Sequence, residues 1–336
     1  MKKLLLFLFS LCVGGALLIW IINEIGWEEI KSVFWSFSIW KWLAILILTV
    51  LAALIKGWRW KTILKSQGYD IPAIEVFEYY LSGSAVSFLI PMVILGGEIF
   101  RCYDLKEKYS LPWLKSIASV VIDRILEITV FAIATIFGVI FFILKVGLPS
   151  EKTGIFIFSL IFLAILAIAI FYFKSFKKES IIYFFIKRVN FQNSTNVDTA
   201  MDIEKEIFNY FRPNKRTMLW GFGLSVLSGA VMLGRTMLLI SFLGKSIGLS
   251  VGISVLAFSY LATTLPIPAA IGSHEVIQSF VFRNMELGAN TGAAFALIIC
   301  SAELMLALIG SVFLIKFFIQ MLENTVVKTI KNLFKR

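Results

Sequence analysis

Long apolar runs separated by short polar segments make up most of the chain. A bilayer core of about 30 Å requires about 20 mostly apolar residues in helical form. Six runs reach that length, and five of them carry at most one charged residue. The N-terminal run also fits a signal peptide, but no small-residue cleavage site follows it, so we expect a retained helix. The pattern predicts six transmembrane helices: Leu4–Ile22, Phe34–Ile55, Ser116–Leu144, Gly154–Phe173, Thr217–Leu243 and Leu287–Ile315.

Two further apolar stretches, Ile74–Cys102 and Leu249–Phe282, differ from plain membrane spans. Each contains Pro, then Gly, then Glu near its middle. Proline and glycine interrupt helices, and a carboxylate is costly in lipid unless protein or a watery cavity surrounds it. We therefore expect two re-entrant helical hairpins, with two proline-kinked ordinary spans as the alternative.

The composition supports a membrane protein. Of the 336 residues, 59% are apolar and 16% are charged, and the mean hydropathy is +0.88. Soluble globular proteins carry about 25% charged residues. These values exclude a soluble enzyme, a disordered protein and a secreted disulfide scaffold. They indicate an all-α integral membrane protein.

The net charge of +11 would also fit a nucleic-acid-binding protein, so the positions of the basic residues matter. With the N-terminus inside, 24 Lys and Arg residues fall in the inner segments and six in the outer loops. This bias predicts a multi-pass protein of the cytoplasmic membrane with both termini in the cytoplasm, and no nucleic-acid partner. The inner segments are residues 1–3, 56–70, 101–115, 174–216 and 316–336.

The two hairpins belong to an internal repeat. Pro91–Glu98 and Pro268–Glu275 share the spacing Pro-x6-Glu at an offset of 177 residues. Broken helices in inverted repeats are typical of secondary transporters. We therefore predict two inverted halves, residues 1–152 and 153–336. In each half an arginine precedes the hairpin and charged residues follow it: Arg59 and Arg235 upstream, and Asp123, Arg124, Glu127 and Glu303 downstream.

Residues 174–216, inside the second half, alternate basic clusters with apolar and aromatic residues. Such a pattern favours amphipathic helices that lie on the anionic cytoplasmic leaflet. A solvated linker is the alternative interpretation.

Several motifs resemble the flippase-like domain family, also called the lysylphosphatidylglycerol synthase transmembrane region. They are Arg59, Pro91-x4-Gly96-Gly97-Glu98-x2-Arg101, Asp123-Arg124-x2-Glu127 and the segment PIPAAIGSHE. The resemblance covers nearly the whole chain. It implies movement of lipids across the bilayer, including aminoacylated phosphatidylglycerol and lipid-linked sugars. Ala269, Ala270 and Glu303 depart from the family pattern, and no soluble aminoacyl-transferase domain is expected.

Ionisable residues at membrane depth are functional candidates. Glu98 and Glu275 could bind a cationic headgroup, take up a proton or cap a helix N-terminus. Arg101 follows Glu98 by three residues, so an intrahelical ion pair is feasible. Arg59 and Arg235 could hold a lipid phosphate, because a guanidinium group matches phosphate bidentately. The tryptophans beside Arg59 also fit an anchor at the membrane interface.

The remaining candidates are a cluster of three residues on one predicted helix and two adjacent residues of the second hairpin. Asp123, Arg124 and Glu127 lie close enough on one helix for a local ion pair. His274 stands beside Glu275 and could change charge near neutral pH. The cysteines lack ligand spacing, and no nucleotide or hydrolase motif is present, so we expect no metal and no cofactor.

The sequence therefore predicts a lipid flippase and not an enzyme, with anionic or glycan-linked membrane lipids as its partners. The candidate substrate-binding residues are Arg59, Glu98, Arg101, Asp123, Arg124, Glu127, Arg235, His274, Glu275 and Glu303. A membrane-embedded enzyme that modifies lipid headgroups is the main alternative, because paired carboxylates and a histidine could perform acid–base chemistry. An accessory scaffold for a glycosyltransferase is the third, and homo-oligomerisation stays open.

Overall fold

The computed structural model of the protein describes residues 28, 31–32, 35, 37–89, 96–147, 151–177, 179–183, 195–211, 216–265, 267 and 270–333. The predicted first helix, Leu4–Ile22, lies outside the described residues. So do Pro91 and Pro268, at the turns of the two predicted hairpins.

The described residues form helices and contain no strand, which confirms the all-α membrane class. Among the described residues, four helices are long and apolar enough to cross a membrane; in the numbering given next, they are the first, fourth, seventh and tenth. The helices are α1 (Ile39–Ser66), α2 (Ala73–Leu89), α3 (Gly96–Tyr109), α4 (Trp113–Val146), α5 (Glu151–Lys177), α6 (Thr195–Tyr210), α7 (Arg216–Phe242), α8 (Leu249–Thr263), α9 (Ser273–Asn284) and α10 (Ala289–Leu333).

Two helices extend beyond their predicted membrane spans. Helix α1 continues past Ile55 to Ser66, and α10 continues past Ile315 to Leu333. Arg59, which the sequence places in an inner segment at the end of this helix, lies inside α1, and its side chain is 1% exposed. Its charge did not end the apolar helix because a carboxylate of α4 compensates it inside the bundle.

The two predicted hairpins correspond to two pairs of short helices, α2 with α3 and α8 with α9. Their lengths are 17, 14, 15 and 12 residues, whereas a typical spanning helix has about 20. The helices of each pair pack against one another. Glu75 at the start of α2 accepts a hydrogen bond of 2.5 Å from the Tyr109 hydroxyl at the end of α3. The start of α2 and the end of α3 therefore lie together. Re-entrance into the membrane stays a prediction.

The main packing of the bundle consists of α7 on α1, α8 on α4 and α10 on α2. Glycines allow the last two crossings. A Cβ on Gly138 of α4 would overlap Ala257 and the backbone of Ile253 in α8, and a Cβ on Gly310 of α10 would overlap the backbone of Leu81 in α2. Close backbone approach is the reason that small residues favour helix packing in membranes.

Replacing Gly138 or Gly310 with Ala is expected to lower stability by about 1–3 kcal/mol, because the added methyl group overpacks a helix crossing. Thermal unfolding in detergent measures this loss. Gly223→Ala is the matched control, since its Cβ would meet nothing within 4 Å and alanine favours a helix. Equal melting temperatures for all three variants would contradict the close packing of these helices.

Helix α6 corrects the prediction for residues 174–216. It is amphipathic, but its apolar face packs on α4 instead of remaining free for lipid. Ile207, Phe208 and Phe211 are buried in a cluster with Ile63 and Leu126. Helix α6 is therefore docked on the bundle, beside the end of α1 and the start of α4.

Candidate functional site

A buried ion-pair network joins α1, α3 and α4. The Nε of Arg59 donates to Oδ1 of Asp123 over 2.7 Å, and Nη2 of Arg101 donates to Oδ2 over 3.0 Å. None of these three side chains is more than 3% exposed. The guanidinium of Arg101 also lies over the ring of Trp60, 3.9 Å from its centroid, and 5.0 Å from that of Tyr80. One carboxylate thus fixes two arginines, each on a different helix.

Glu127, one helical turn after that aspartate, is the second anion of the network. It accepts from Nζ of Lys56 at 2.6 Å and from Nη1 of Arg124 at 2.9 Å, and Arg59 lies 3.7 Å away. Arg124 also pairs with Glu98 at the start of α3. The predicted local pair of Arg124 with Glu127 is present, within a network that extends over three helices.

Two interpretations from the sequence were wrong. Arg101 does not pair with Glu98 on its own helix, because Arg101 faces Asp123 while Glu98 faces Arg124. Both side chains point from α3 towards α4, where stronger partners are available. Arg59 is not an interface anchor, because it is almost completely buried.

A smaller pair lies further along the bundle. Nη2 of Arg235 is 3.2 Å from Oε1 of Glu303, and its Nη1 donates to the hydroxyl of Thr49 over 3.0 Å. The network described above contains a matching bond, in which Nη1 of Arg59 donates to the hydroxyl of Ser225 over 3.1 Å. Helices α1 and α7 therefore exchange reciprocal bonds from arginine to hydroxyl groups.

The buried ion-pair network and the Arg235–Glu303 pair both border one cavity of about 310 Å³. This volume is at the lower end of the range for small-molecule pockets, about 300–1,000 Å³. Its wall comes from α1, α2, α4, α7, α8 and α10. The polar lining residues are Thr49, Lys56, Tyr80, Ser84, Ser87, Arg124, Glu127, Arg235, Tyr260, Thr263 and Glu303.

The charged lining is unbalanced. Lys56, Arg124 and Arg235 face two carboxylates, Glu127 and Glu303, so the wall carries a surplus of one positive charge. The side chain of Arg124 is 40% exposed and that of Glu303 is 32% exposed. Such groups are able to contact a ligand without unfolding the network behind them.

Glu275 and His274, at the second hairpin, do not line this cavity. Oε2 of Glu275 accepts from the backbone N–H of Gly272 over 2.7 Å, so this carboxylate caps α9, the structural alternative considered for it. His274 is 2% exposed, and its Nδ1 lies 3.5 Å from Sγ of Cys300. Of the ten predicted site residues, these two stand apart from the cavity and the inner network.

The sequence reasoning missed several lining residues. Lys56 precedes Arg59 by three residues and shares its helix face, which is the signal that could have identified it. Thr49 lies on the same helix, ten residues before Arg59. No sequence signal distinguishes Tyr80 and Tyr260 from ordinary packing residues. In the described part of the chain, no group of three or more His, Cys, Asp or Glu side chains could hold a metal ion.

Comparison with known families agrees with this architecture. Residues 7–310 match the family described as the lysylphosphatidylglycerol synthase TM region. The chain belongs to this family. The match spans α1 to α9, about half of α10 and every residue of the charged network, so the resemblance predicted from the motifs is confirmed. The chain is thus a multi-pass membrane protein of the lysylphosphatidylglycerol synthase TM region family.

A UPF0104 membrane protein of Methanocaldococcus jannaschii is similar over part of its length. It is 32% identical over 126 residues, which are 37% of this chain and 38% of that protein. The alignment thus covers little more than a third of either protein.

Proposed function

We propose that this protein moves a lipid with an anionic phosphate headgroup across the cytoplasmic membrane. The observation that carries the proposal is the cavity with its surplus positive charge, enclosed by apolar helices. A cavity of about 310 Å³ suits a headgroup better than a whole lipid. The headgroup therefore crosses through the cavity, while the acyl chains stay in the bilayer.

The arginines of the cavity suit a phosphate group. Guanidinium groups form short, charge-assisted and often bidentate bonds to phosphate oxygens. Arg235 and Arg124 each line the cavity and carry a planar guanidinium group, and Lys56 adds a third cation. Glu127 and Glu303 hold these cations in place before the lipid arrives.

Inverted repeats explain how the cavity would be reached from both sides. Arg59 with Ser225 and Arg235 with Thr49 are related by one offset, since 59 to 235 and 49 to 225 both differ by 176. Such reciprocity is expected where two related halves cross at a pseudo-two-fold axis. It supports the predicted halves, residues 1–152 and 153–336.

The two glycine crossings support the same relation. Gly138 approaches Ala257, and Gly310 approaches Ala85. The two glycines are 172 positions apart in the sequence, and so are the two alanines. Alternating access then consists of rocking one half against the other, with the cavity at the axis. The Arg59–Asp123 network lies on the side of the cavity that is predicted to be cytoplasmic.

The geometry favours transport over chemistry on the headgroup. General acid–base catalysis needs a carboxylate or imidazole within reach of the reacting group. His274 lies off the cavity, and the carboxylates that line it are both ion-paired with cations. These contacts favour a role of both carboxylates in positioning the cations of the cavity.

The proposal is tested by lipid movement in liposomes. Protein is reconstituted with fluorescent phosphatidylglycerol or phosphatidylcholine, and the rate at which label crosses the bilayer is followed by quenching from outside. Wild type is expected to move the anionic lipid faster. If neither lipid crosses faster than in protein-free liposomes, the proposed function is wrong.

Lys56→Met removes the surplus charge and is expected to slow the anionic lipid about tenfold, since the loss of one charged hydrogen bond costs about 1.5 kcal/mol. The rate of phosphatidylcholine is expected to stay the same. Lys65→Met is the matched control on the same helix, because its side chain is 67% exposed and remote from the cavity. A similar loss in both variants would contradict a role for Lys56 in headgroup binding.

A further inference from the structure

One tyrosine of the cavity wall carries a hydroxyl group without a partner. Tyr260 of α8 lines the cavity and is 6% exposed. Its Oη is buried and has no hydrogen-bond partner among the described residues. The large majority of buried polar side-chain atoms in proteins are hydrogen-bonded, so an unpartnered hydroxyl in the wall of a cavity points to a ligand as its partner.

The packing of Tyr260 depends on its ring and not on its hydroxyl group. The ring stacks on that of Phe131 of α4, with the centroids 3.9 Å apart and an angle of 14° between the planes. A phenylalanine would form the same stack without burying a polar atom. The hydroxyl group therefore opposes the stability of this contact instead of supporting it.

The equivalent position in the other half has a ring without a hydroxyl group. Ala85 of α2 and Ala257 of α8 face the glycines of the two close helix crossings, and Phe88 and Tyr260 follow them by three residues each. Both aromatic side chains line the cavity. The proposed repeat thus has phenylalanine in one half and tyrosine in the other, which indicates that packing at this position does not require the hydroxyl group.

Cations lie on the same wall of the cavity. Nζ of Lys56 is 5.2 Å from the ring centroid of Phe131, so Lys56 and Tyr260 contact the same ring. Nε of Arg235, another lining residue, is also buried without a hydrogen-bond partner among the described residues. A phenolic O–H group, like these cations, donates to an oxygen anion.

We infer that the hydroxyl group of Tyr260 donates a hydrogen bond to a phosphate oxygen of the bound headgroup. The inference rests on the proposed function and adds a neutral donor to its cationic ones. A hydrogen bond to an ionised acceptor is about twice as strong as one between neutral groups. The phosphate is then held by donors from three helices: Lys56 of α1, Arg235 of α7 and Tyr260 of α8.

Tyr260→Phe tests this bond, because it removes one oxygen atom and keeps the stacked ring. Fluorescent phosphatidylglycerol and phosphatidic acid are both expected to cross liposome membranes about tenfold more slowly than with wild type. Phosphatidic acid has a phosphate and no further headgroup, so it isolates the phosphate contact. Tyr172→Phe is the matched control, since Tyr172 lies outside the cavity lining and its hydroxyl shares a hydrogen bond of 3.1 Å with Thr129. It should keep the wild-type rates.

The melting temperature in detergent distinguishes binding from a structural role. Without lipid, Tyr260→Phe is expected to melt at the same temperature as wild type or higher, because it buries no unpartnered hydroxyl group. Short-chain phosphatidylglycerol should raise the melting temperature of wild type more than that of Tyr260→Phe, since tighter binding to the folded state stabilises it more. A lower melting temperature of Tyr260→Phe without lipid would show a structural role and overturn the inference.

The outcomes also separate the inference from the proposed function. If wild type moves neither lipid, the proposed function fails. If wild type moves both and Tyr260→Phe keeps its rates, only the assignment of Tyr260 fails. If wild type moves phosphatidylglycerol alone, or Tyr260→Phe slows that lipid alone, the hydroxyl group does not bind the phosphate and the inference is overturned.

Discussion

Replacing Asp123 with Asn is expected to lower the free energy of unfolding by about 3–5 kcal/mol, because two buried arginines lose their shared counter-charge. Asn keeps the shape of the side chain and removes only its charge. Arg59 and Arg101 are each at most 3% exposed, so water cannot replace the lost carboxylate. Chemical or thermal unfolding of the purified protein in detergent measures the loss.

Asp202→Asn provides the control for this variant. Asp202 pairs with Lys205 on α6, where the two side chains are 53% and 69% exposed. Exposed pairs contribute about 0–1 kcal/mol, so little change is expected. If both variants unfold alike, the buried network does not stabilise the bundle in the way that its contacts indicate.

Arg235→Gln is expected to reduce the transport of anionic lipid by about ten- to a hundredfold. A hydrogen bond between charged groups is worth about 1.5–3 kcal/mol, and glutamine is polar but shorter than arginine and lacks the guanidinium group. Met232→Leu is the matched control, because Met232 lines the same cavity on the same helix and carries no charge. The initial rate for fluorescent phosphatidylglycerol in liposomes measures the effect.

The double variant Arg235→Gln with Glu303→Gln separates function from stability. Removing both charges leaves no uncompensated ion in the bundle, so stability should return towards that of wild type. Transport of the anionic lipid should stay low. Recovery of both stability and transport would show that Arg235 only balances Glu303 and does not hold the headgroup.

Much of the helical architecture could be predicted from hydropathy, because lipid contact requires apolar residues at every exposed position of a spanning helix. Helices α4, α5 and α7 contain almost all of their predicted spans. The inner end of α1 could not be predicted in this way. Its charged residues resemble a cytoplasmic segment in the sequence, and only the partners from α4 explain why they are buried.

The candidate site was predicted in part. The sequence identified the charged residues of the network as functional candidates, because charge at membrane depth is rare. It could not assign their partners, since spacing along one helix favoured Glu98 with Arg101, whereas α4 offers each of them a different residue. The match of Glu303 to the charged cluster of the first half stays a prediction. The 172-residue relation proposed from the glycine crossings would instead pair Glu303 with Phe131, which lines the cavity as well.

The proposed lipid route is tested most directly by photo-crosslinking in the membrane. Phosphatidylglycerol with a photoreactive group on its headgroup is added to proteoliposomes, and mass spectrometry locates the modified residues. Adducts are expected on cavity residues such as Ala53, Tyr80 and Leu306, and they should be lost in Arg235→Gln. Adducts confined to exposed membrane-facing residues such as Leu219 and Trp220, equally strong in that variant, would contradict passage of the headgroup through the cavity.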